Sequence, residues 1–165
     1  MSGEVVRYLS QDHRRLEALF QRATADLGHI DNNAYMDFRG GLLRHIGMEE
    51  KILLPAAKAA KAGEALPIAA RLRLDHGALA ALLVMTPTPS IVFAIRKILE
   101  SHNRLEEGSD GVYEQCERLP EFDSAAILAR LEKTPPVAMN PYSDNSIARD
   151  SARAALDGAG YNFDF

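Results

Sequence analysis

His45 and Glu49 stand four residues apart in the stretch Arg44-His45-Ile46-Gly47-Met48-Glu49-Glu50-Lys51-Ile52-Leu53-Leu54-Pro55, and this pair constrains the fold more than any other feature of the chain. On a helix that spacing puts both side chains on one face, one turn apart. An imidazole and a carboxylate stacked this way can hold one metal ion, or two if the carboxylate bridges. Ile46, Met48, Ile52 and Leu53 flank the pair. The pair is therefore expected to face a packed interior, where a bare carboxylate is costly. The same spacing returns at His102 and Glu106, and near the start at His13 and Glu17.

Apolar residues recur at helical spacing through most of the chain. A first helix is predicted over residues 3–27, with Val5, Leu9, His13, Leu16 and Phe20 on its inner stripe. A second is predicted over 34–61, capped by Asn32 or Asn33 and kinked at Pro55, where a backbone donor is missing. Gly40-Gly41 weakens its first half without a reason visible in the sequence. A third is predicted over 67–85 with His76 on its stripe. A fourth, capped by Ser90 after Thr86-Pro87-Thr88-Pro89, is predicted over 91–118 with His102 and Glu106 inward and Gly108 and Gly111 loosening its second half. Short connections between long helices predict an all-α, up-down-up-down four-helix bundle over residues 1–120. Residues 121–165 are expected to add a short helix over 124–133 and a tail, polar and proline-containing, with one more short helix over 147–156.

The chain has 165 residues and 47% apolar composition, enough for one core. A net charge of −4 and the lack of a basic cluster argue against nucleic acid as a partner. No apolar run is long enough to span a membrane, and nothing at the start resembles a signal peptide, so a cytoplasmic protein is expected. Cys116 is the single cysteine, which excludes an intrachain disulfide and a sulfur-rich zinc site.

A lone histidine on an apolar helix face is usually a satisfied core residue. Here four of five histidines, His13, His45, His76 and His102, fall on inner stripes, one per predicted long helix. Imidazoles and carboxylates buried in that number need compensation, which one or two dications supply. Imidazole with carboxylate and no thiolate suits iron, manganese or zinc. Glu50 and Glu107 read as solvated or supporting residues, Asp12 and Asp75 as solvent-facing, and His29 as a surface loop residue. Cys116 reads as core, and Tyr35 and Tyr113 as core residues with pocket lining as the alternative.

The order His13, then His45 with Glu49, then His76, then His102 with Glu106, together with Glu49-Glu50-Lys51-Ile52-Leu53-Leu54-Pro55, resembles the hemerythrin family, in particular its bacterial hemerythrin-like (HHE cation-binding) branch. The resemblance covers about residues 5–119. It implies a non-haem di-iron centre that binds molecular oxygen, with Glu49 and Glu106 as bridges and the four histidines as terminal ligands; zinc or manganese are possible substitutes. Two departures stand out. The respiratory members carry another histidine four residues after the third-helix one, where this chain has Ala80. They also place an Asp five residues after the fourth-helix histidine, where this chain has Glu107, with Glu106 at four. Glu17 or water is expected to fill the resulting gap.

These readings favour oxygen or a related small ligand as the partner, for sensing, storage or detoxification rather than bulk transport, with an apolar wall from Leu16, Phe20, Leu79 and Leu105. A di-iron enzyme (oxidase, peroxidase-like or nitric-oxide-consuming) and a structural metal-binding module are the alternatives. Glu-x-x-His di-iron spacing, a His-Glu-x-x-His helix and a phosphate-binding glycine loop are all missing from the sequence.

Overall fold

A computed structural model describes residues 3–165, and every regular element among them is helical. Helix α1 spans Glu4–Ala23 and α2 spans Asn32–Met48. A π-helical turn, Glu49–Leu53, leads without interruption into α3, Leu54–Ala60. Then come α4 (Ala69–Leu82), α5 (Pro89–Glu107), α6 (Val112–Glu117), α7 (Ser124–Glu132) and α8 (Ser146–Gly158).

The caps follow ordinary side-chain chemistry. Asp31, rather than either asparagine, caps α2 by accepting from the Ala34 N–H at 3.0 Å. Thr88, rather than Ser90, caps α5, because Pro89 fits the first helical position, where no donor is needed. The disturbance expected at Pro55 lies upstream of it. Proline would collide with the carbonyl of Lys51, four residues back. The wider turn from Glu49 absorbs that conflict, and the Leu54 N–H reaches five residues back to the Glu49 carbonyl.

The predicted fourth helix is two helices. A glycine-flanked turn over residues 108–111 stops α5 and restarts the chain as α6. Asp110 in this turn has φ 61°, and a Cβ on Gly111 would stand 2.3 Å from the Glu106 carbonyl oxygen. Only glycine lets the chain double back so closely, and after this turn the Tyr113 hydroxyl lies 3.2 Å from Glu106 Oε2. Gly41 has a packing reason as well. A Cβ there would lie 2.6 Å from Leu16 Cδ2, so its absence lets α1 and α2 approach.

Two apolar clusters sandwich a polar layer. One contains Leu16, Phe20, Phe38, Leu42, Leu79, Ile95 and Ile98. The other contains Leu9, Met48, Leu53, Leu72, Val112, Tyr113 and Cys116. His13 falls between Leu9 and Leu16, His45 between Leu42 and Met48, and His76 between Leu72 and Leu79. His102 follows Ile98 of the first cluster and precedes Val112 of the second.

Residues 121–165 pack on the same clusters. Ile127 and Leu131 of α7 join the second, and Ala152 and Leu156 of α8 join the first. Buried Arg39 ties the intervening tail down, donating to the carbonyls of Leu83 (2.7 Å) and Asn140 (2.9 Å). Among the described residues no helix is long and apolar enough to cross a membrane.

Candidate metal centre

The four histidines and two glutamates of the sequence reading converge in the polar layer, and all six are buried. They form two groups that share both carboxylates. One is His13, His45, Glu49 and Glu106; the other is Glu49, His76, His102 and Glu106. Each glutamate turns one oxygen to each group. Glu49 Oε1 lies 3.4 Å from His45 Nε2, and Glu49 Oε2 lies 3.0 Å from His76 Nε2. Glu106 Oε2 lies 3.1 Å from His13 Nε2, and Glu106 Oε1 lies 2.7 Å from His102 Nε2.

The groups differ in how they are satisfied. In the second, Glu49 Oε2, His76 Nε2 and Glu106 Oε1 are buried without a hydrogen-bond partner, despite their short separations. Distance is not the obstacle: the ligand atoms of this group all lie within 4.8 Å of one another, yet these three do not meet at hydrogen-bonding angles. Buried polar atoms left in that state are costly in a protein interior. In the first group the Tyr113 hydroxyl is the partner. It donates to Glu49 Oε1 at 2.6 Å and lies 3.2 Å from each of His13 Nε2, His45 Nε2 and Glu106 Oε2.

Every imidazole is pinned from behind. Nδ1–H of His45 donates to Asp12 at 2.8 Å, that of His76 to Glu50 at 2.6 Å, and that of His102 to Asp75 at 3.1 Å. That of His13 donates to Glu107. Each carboxylate is held in turn by a guanidinium. Arg15 bonds Asp12 at 2.8 Å, Arg73 bonds Glu50 at 3.2 Å, Arg71 bonds Asp75 at 2.6 Å and Arg14 bonds Glu107 at 3.0 Å. Such a chain fixes the ring orientation and aims Nε2 inward, which is how metal-ligating histidines are usually held.

The electrostatics follow from this packing. Burial opposes a charge on each imidazole, but the carboxylates outweigh it. Glu106 and Glu107 raise His13 to about 10, and Glu106, Glu49 and Glu50 raise His76 to about 11. Glu106 and Asp75 raise His102 to about 9, and Glu49 and Asp12 raise His45. Against the same burial penalty, His45 and Arg15 pull Asp12 down to about 2, as His13 and Arg14 do Glu107. Burial, with Glu106 and Glu49 alongside, pushes the Tyr113 phenol well above its ordinary value.

Glu17 does not join either group. It is exposed and accepts from Gln21 at 3.2 Å. With Gln21, Arg96 and Glu100, also exposed, it belongs to a cavity of about 210 Å³ that reaches His13. Leu16 and Phe20 line that cavity as expected, joined by Phe38, Leu42 and Leu99. Leu79 and Leu105 do not line it; they pack on the two apolar clusters.

Asp12 and Asp75, read from the sequence as solvent-facing, support histidines instead. The signal available was a repeated dipeptide arrangement. Asp12-His13 precedes His45-x-x-x-Glu49-Glu50, and Asp75-His76 precedes His102-x-x-x-Glu106-Glu107. In each unit the Asp serves the second histidine, and the final Glu serves the first histidine of the other unit. Tyr113, read as ordinary core, breaks this two-fold pattern.

The donor set fits a pair of dications: two imidazoles and two shared carboxylates for each, with no thiolate. The arrangement thus defines a candidate two-ion centre in an all-helical protein. Comparison of the chain with family models, with curated proteins and with solved structures finds no match.

Proposed function

We propose that this chain is a hemerythrin-like, non-haem di-iron protein that binds molecular oxygen or a related small ligand for sensing, storage or detoxification. The observation that carries the reading is the sharing of Glu49 and Glu106 between two histidine pairs, one oxygen to each side. A bundle interior is a common setting for a two-metal carboxylate site. The order of the apolar clusters along the chain supports an up-down-up-down arrangement. Helix α1 meets Leu9 before Leu16 and α4 meets Leu72 before Leu79, whereas α2 meets Leu42 before Met48.

His13 and His45 would hold one iron and His76 and His102 the other, with Glu49 and Glu106 between them. Bound iron would supply the electrons and the coordination position for a small diatomic ligand. The chain's own part is to orient the imidazoles through Asp12, Glu50, Asp75 and Glu107 and to limit water. The cavity walls of Leu16, Phe20, Phe38, Leu42 and Leu99 do the latter while leaving a path to His13.

The test is an optical spectrum of iron-loaded protein, reduced without oxygen and then exposed to air, alongside elemental analysis. Two irons per chain and bands that come and go with oxygen support binding. Bands that appear and decay irreversibly support oxidase or peroxidase-like chemistry in the same site. Failure to take up iron, with zinc affecting stability alone, overturns the reading in favour of a structural module.

A further inference from the structure

We propose that Tyr113 is itself a metal ligand, so that its oxygen joins His13, His45, Glu49 and Glu106 around one ion while the other ion has no phenolic donor. The inference rests on the two-ion reading above and adds a chemical difference between the halves.

The geometry is the starting point. The Tyr113 oxygen touches all four donor atoms of its half, at 2.6 Å for Glu49 Oε1 and 3.2 Å for His13 Nε2, His45 Nε2 and Glu106 Oε2. A protein-bound ion of this class sits about 2.0–2.2 Å from its nitrogen and oxygen ligands. An ion entering this half therefore takes the space between those four atoms, and the phenolic oxygen must either leave altogether or stay as a donor beside it.

Leaving is obstructed. Tyr113 is wholly buried, in the apolar cluster with Leu9, Met48, Leu53 and Cys116. The cavity that reaches the centre is lined by His13 and not by Tyr113, so it offers the ring no room to swing into. The backbone is fixed as well. The close approach of Gly111 to the Glu106 carbonyl sets the start of α6, and Glu117 at its end accepts from the Val5 N–H at 2.8 Å. A small withdrawal of the oxygen, with the ring in place, converts a hydrogen-bond partner into a ligand. On coordination the phenolic O–H bond breaks, the oxygen–metal bond forms and the proton passes to solvent. The charge of the ion makes this favourable where burial alone opposes it.

The contrast between the halves supports the assignment. They match in imidazoles, shared carboxylates and supporting acids, yet the His76 and His102 half has no hydroxyl and keeps three unpartnered atoms. A phenolic donor on one side only would favour the ferric state there and leave the open coordination position to the other ion.

The experiment is resonance Raman and visible absorption of the ferric-loaded full chain, with natural and ring-deuterated tyrosine, beside Tyr113→Phe. The expected result is a phenolate-to-iron charge-transfer band and phenolate modes that shift with deuteration, both lost in Tyr113→Phe at unchanged two-iron stoichiometry. Two irons with no phenolate modes overturn the proposal and leave the di-iron reading standing. No iron uptake overturns both. If Tyr113→Phe fails to fold, the labelled wild-type protein still decides. Of the other tyrosines, Tyr161 bonds Asp75, Tyr142 lies against Met36 and Arg39, and Tyr8 and Tyr35 belong to neither ligand group.

Discussion

Asp12 sits next to His13 in sequence but holds His45, on the neighbouring helix, with Oδ2 2.8 Å from Nδ1. The bond crosses from α1 to α2 and sets the tautomer that leaves Nε2 facing Glu49. Carboxylates placed behind metal-bound histidines typically contribute 10–100-fold to affinity. Asp12→Asn should therefore weaken iron or zinc binding by about 10–100-fold while leaving the helical content unchanged, as measured by chelator competition and circular dichroism.

The shared carboxylates and the single-sided histidines should separate cleanly by stoichiometry. Glu106 faces both groups, so Glu106→Gln should weaken both ions, because an amide cannot neutralise two dications. His76 faces one group, so His76→Ala should leave the His13 and His45 half able to bind. Elemental analysis after gel filtration checks this: the glutamine variant should retain less metal than the alanine variant. Equal losses would mean that the halves do not bind independently.

Stability of the metal-free protein should fall at alkaline pH. The folded-state values of His102, His13 and His76 are raised to about 9, 10 and 11, above the ordinary imidazole value of 6.5. Groups raised on folding stabilise fully below their unfolded value, and that contribution is lost as pH rises through the folded values. The window is therefore from 6.5 up to about 9–11. On the acid side Asp12 and Glu107, lowered to about 2, contribute above the unfolded carboxylate range and lose that contribution as pH falls toward 2. Chemical denaturation of chelator-treated protein across this range should show a plateau falling at both ends. Bound metal should flatten the alkaline fall, since the imidazoles are then neutral ligands.

The tail should behave as part of the fold. Leu156 of α8 is buried in the cluster around Phe20 and Leu79. Leu156→Ala should cost about 2–5 kcal/mol in denaturant unfolding, the usual range for a buried leucine. Tyr161 donates to Asp75 at 2.9 Å, and Asp75 in turn holds His102. Tyr161→Phe should cost about 0.5–1.5 kcal/mol and also weaken metal binding, a readout that a distant surface substitution would not move.

The helical class and the burial of six inner histidines and glutamates were legible because both depend on spacing along one helix. His45 with Glu49 and His102 with Glu106 announce themselves at four residues apart. What spacing could not show was contact between helices. Asp12 and Asp75 were misread because each sits beside one histidine and serves another across a helix boundary. Glu17 has the right spacing from His13 but remains at the surface, whereas Glu107 on α5 reaches His13 instead. Tyr113 was read as core rather than as a neighbour of the ligands because the reading ran α5 straight through Gly108 and Gly111. A continuous helix keeps Tyr113 on the face of Glu106 but carries it about two turns further along, whereas the turn leaves its hydroxyl 3.2 Å from Glu106. The Gly40-Gly41 pair made sense only once Leu16 and Met139 were seen against it.

The arginines behind the cage complete an exchange of charge. Six carboxylates (Asp12, Glu49, Glu50, Asp75, Glu106 and Glu107) face four guanidiniums and four imidazoles held toward the protonated form. Two ferrous ions would bring four positive charges, and the four imidazoles would give up four protons to receive them. The imidazole protons would balance the charge of the ions, and a phenolate at Tyr113 would leave the loaded interior one positive charge lower. Loading becomes a swap of protons for metal, readable as acidification of a weakly buffered solution. Oxidation of a bound iron pair would add charge that no exchange of imidazole protons offsets, so the interior would register a change of valence more strongly than the loading itself.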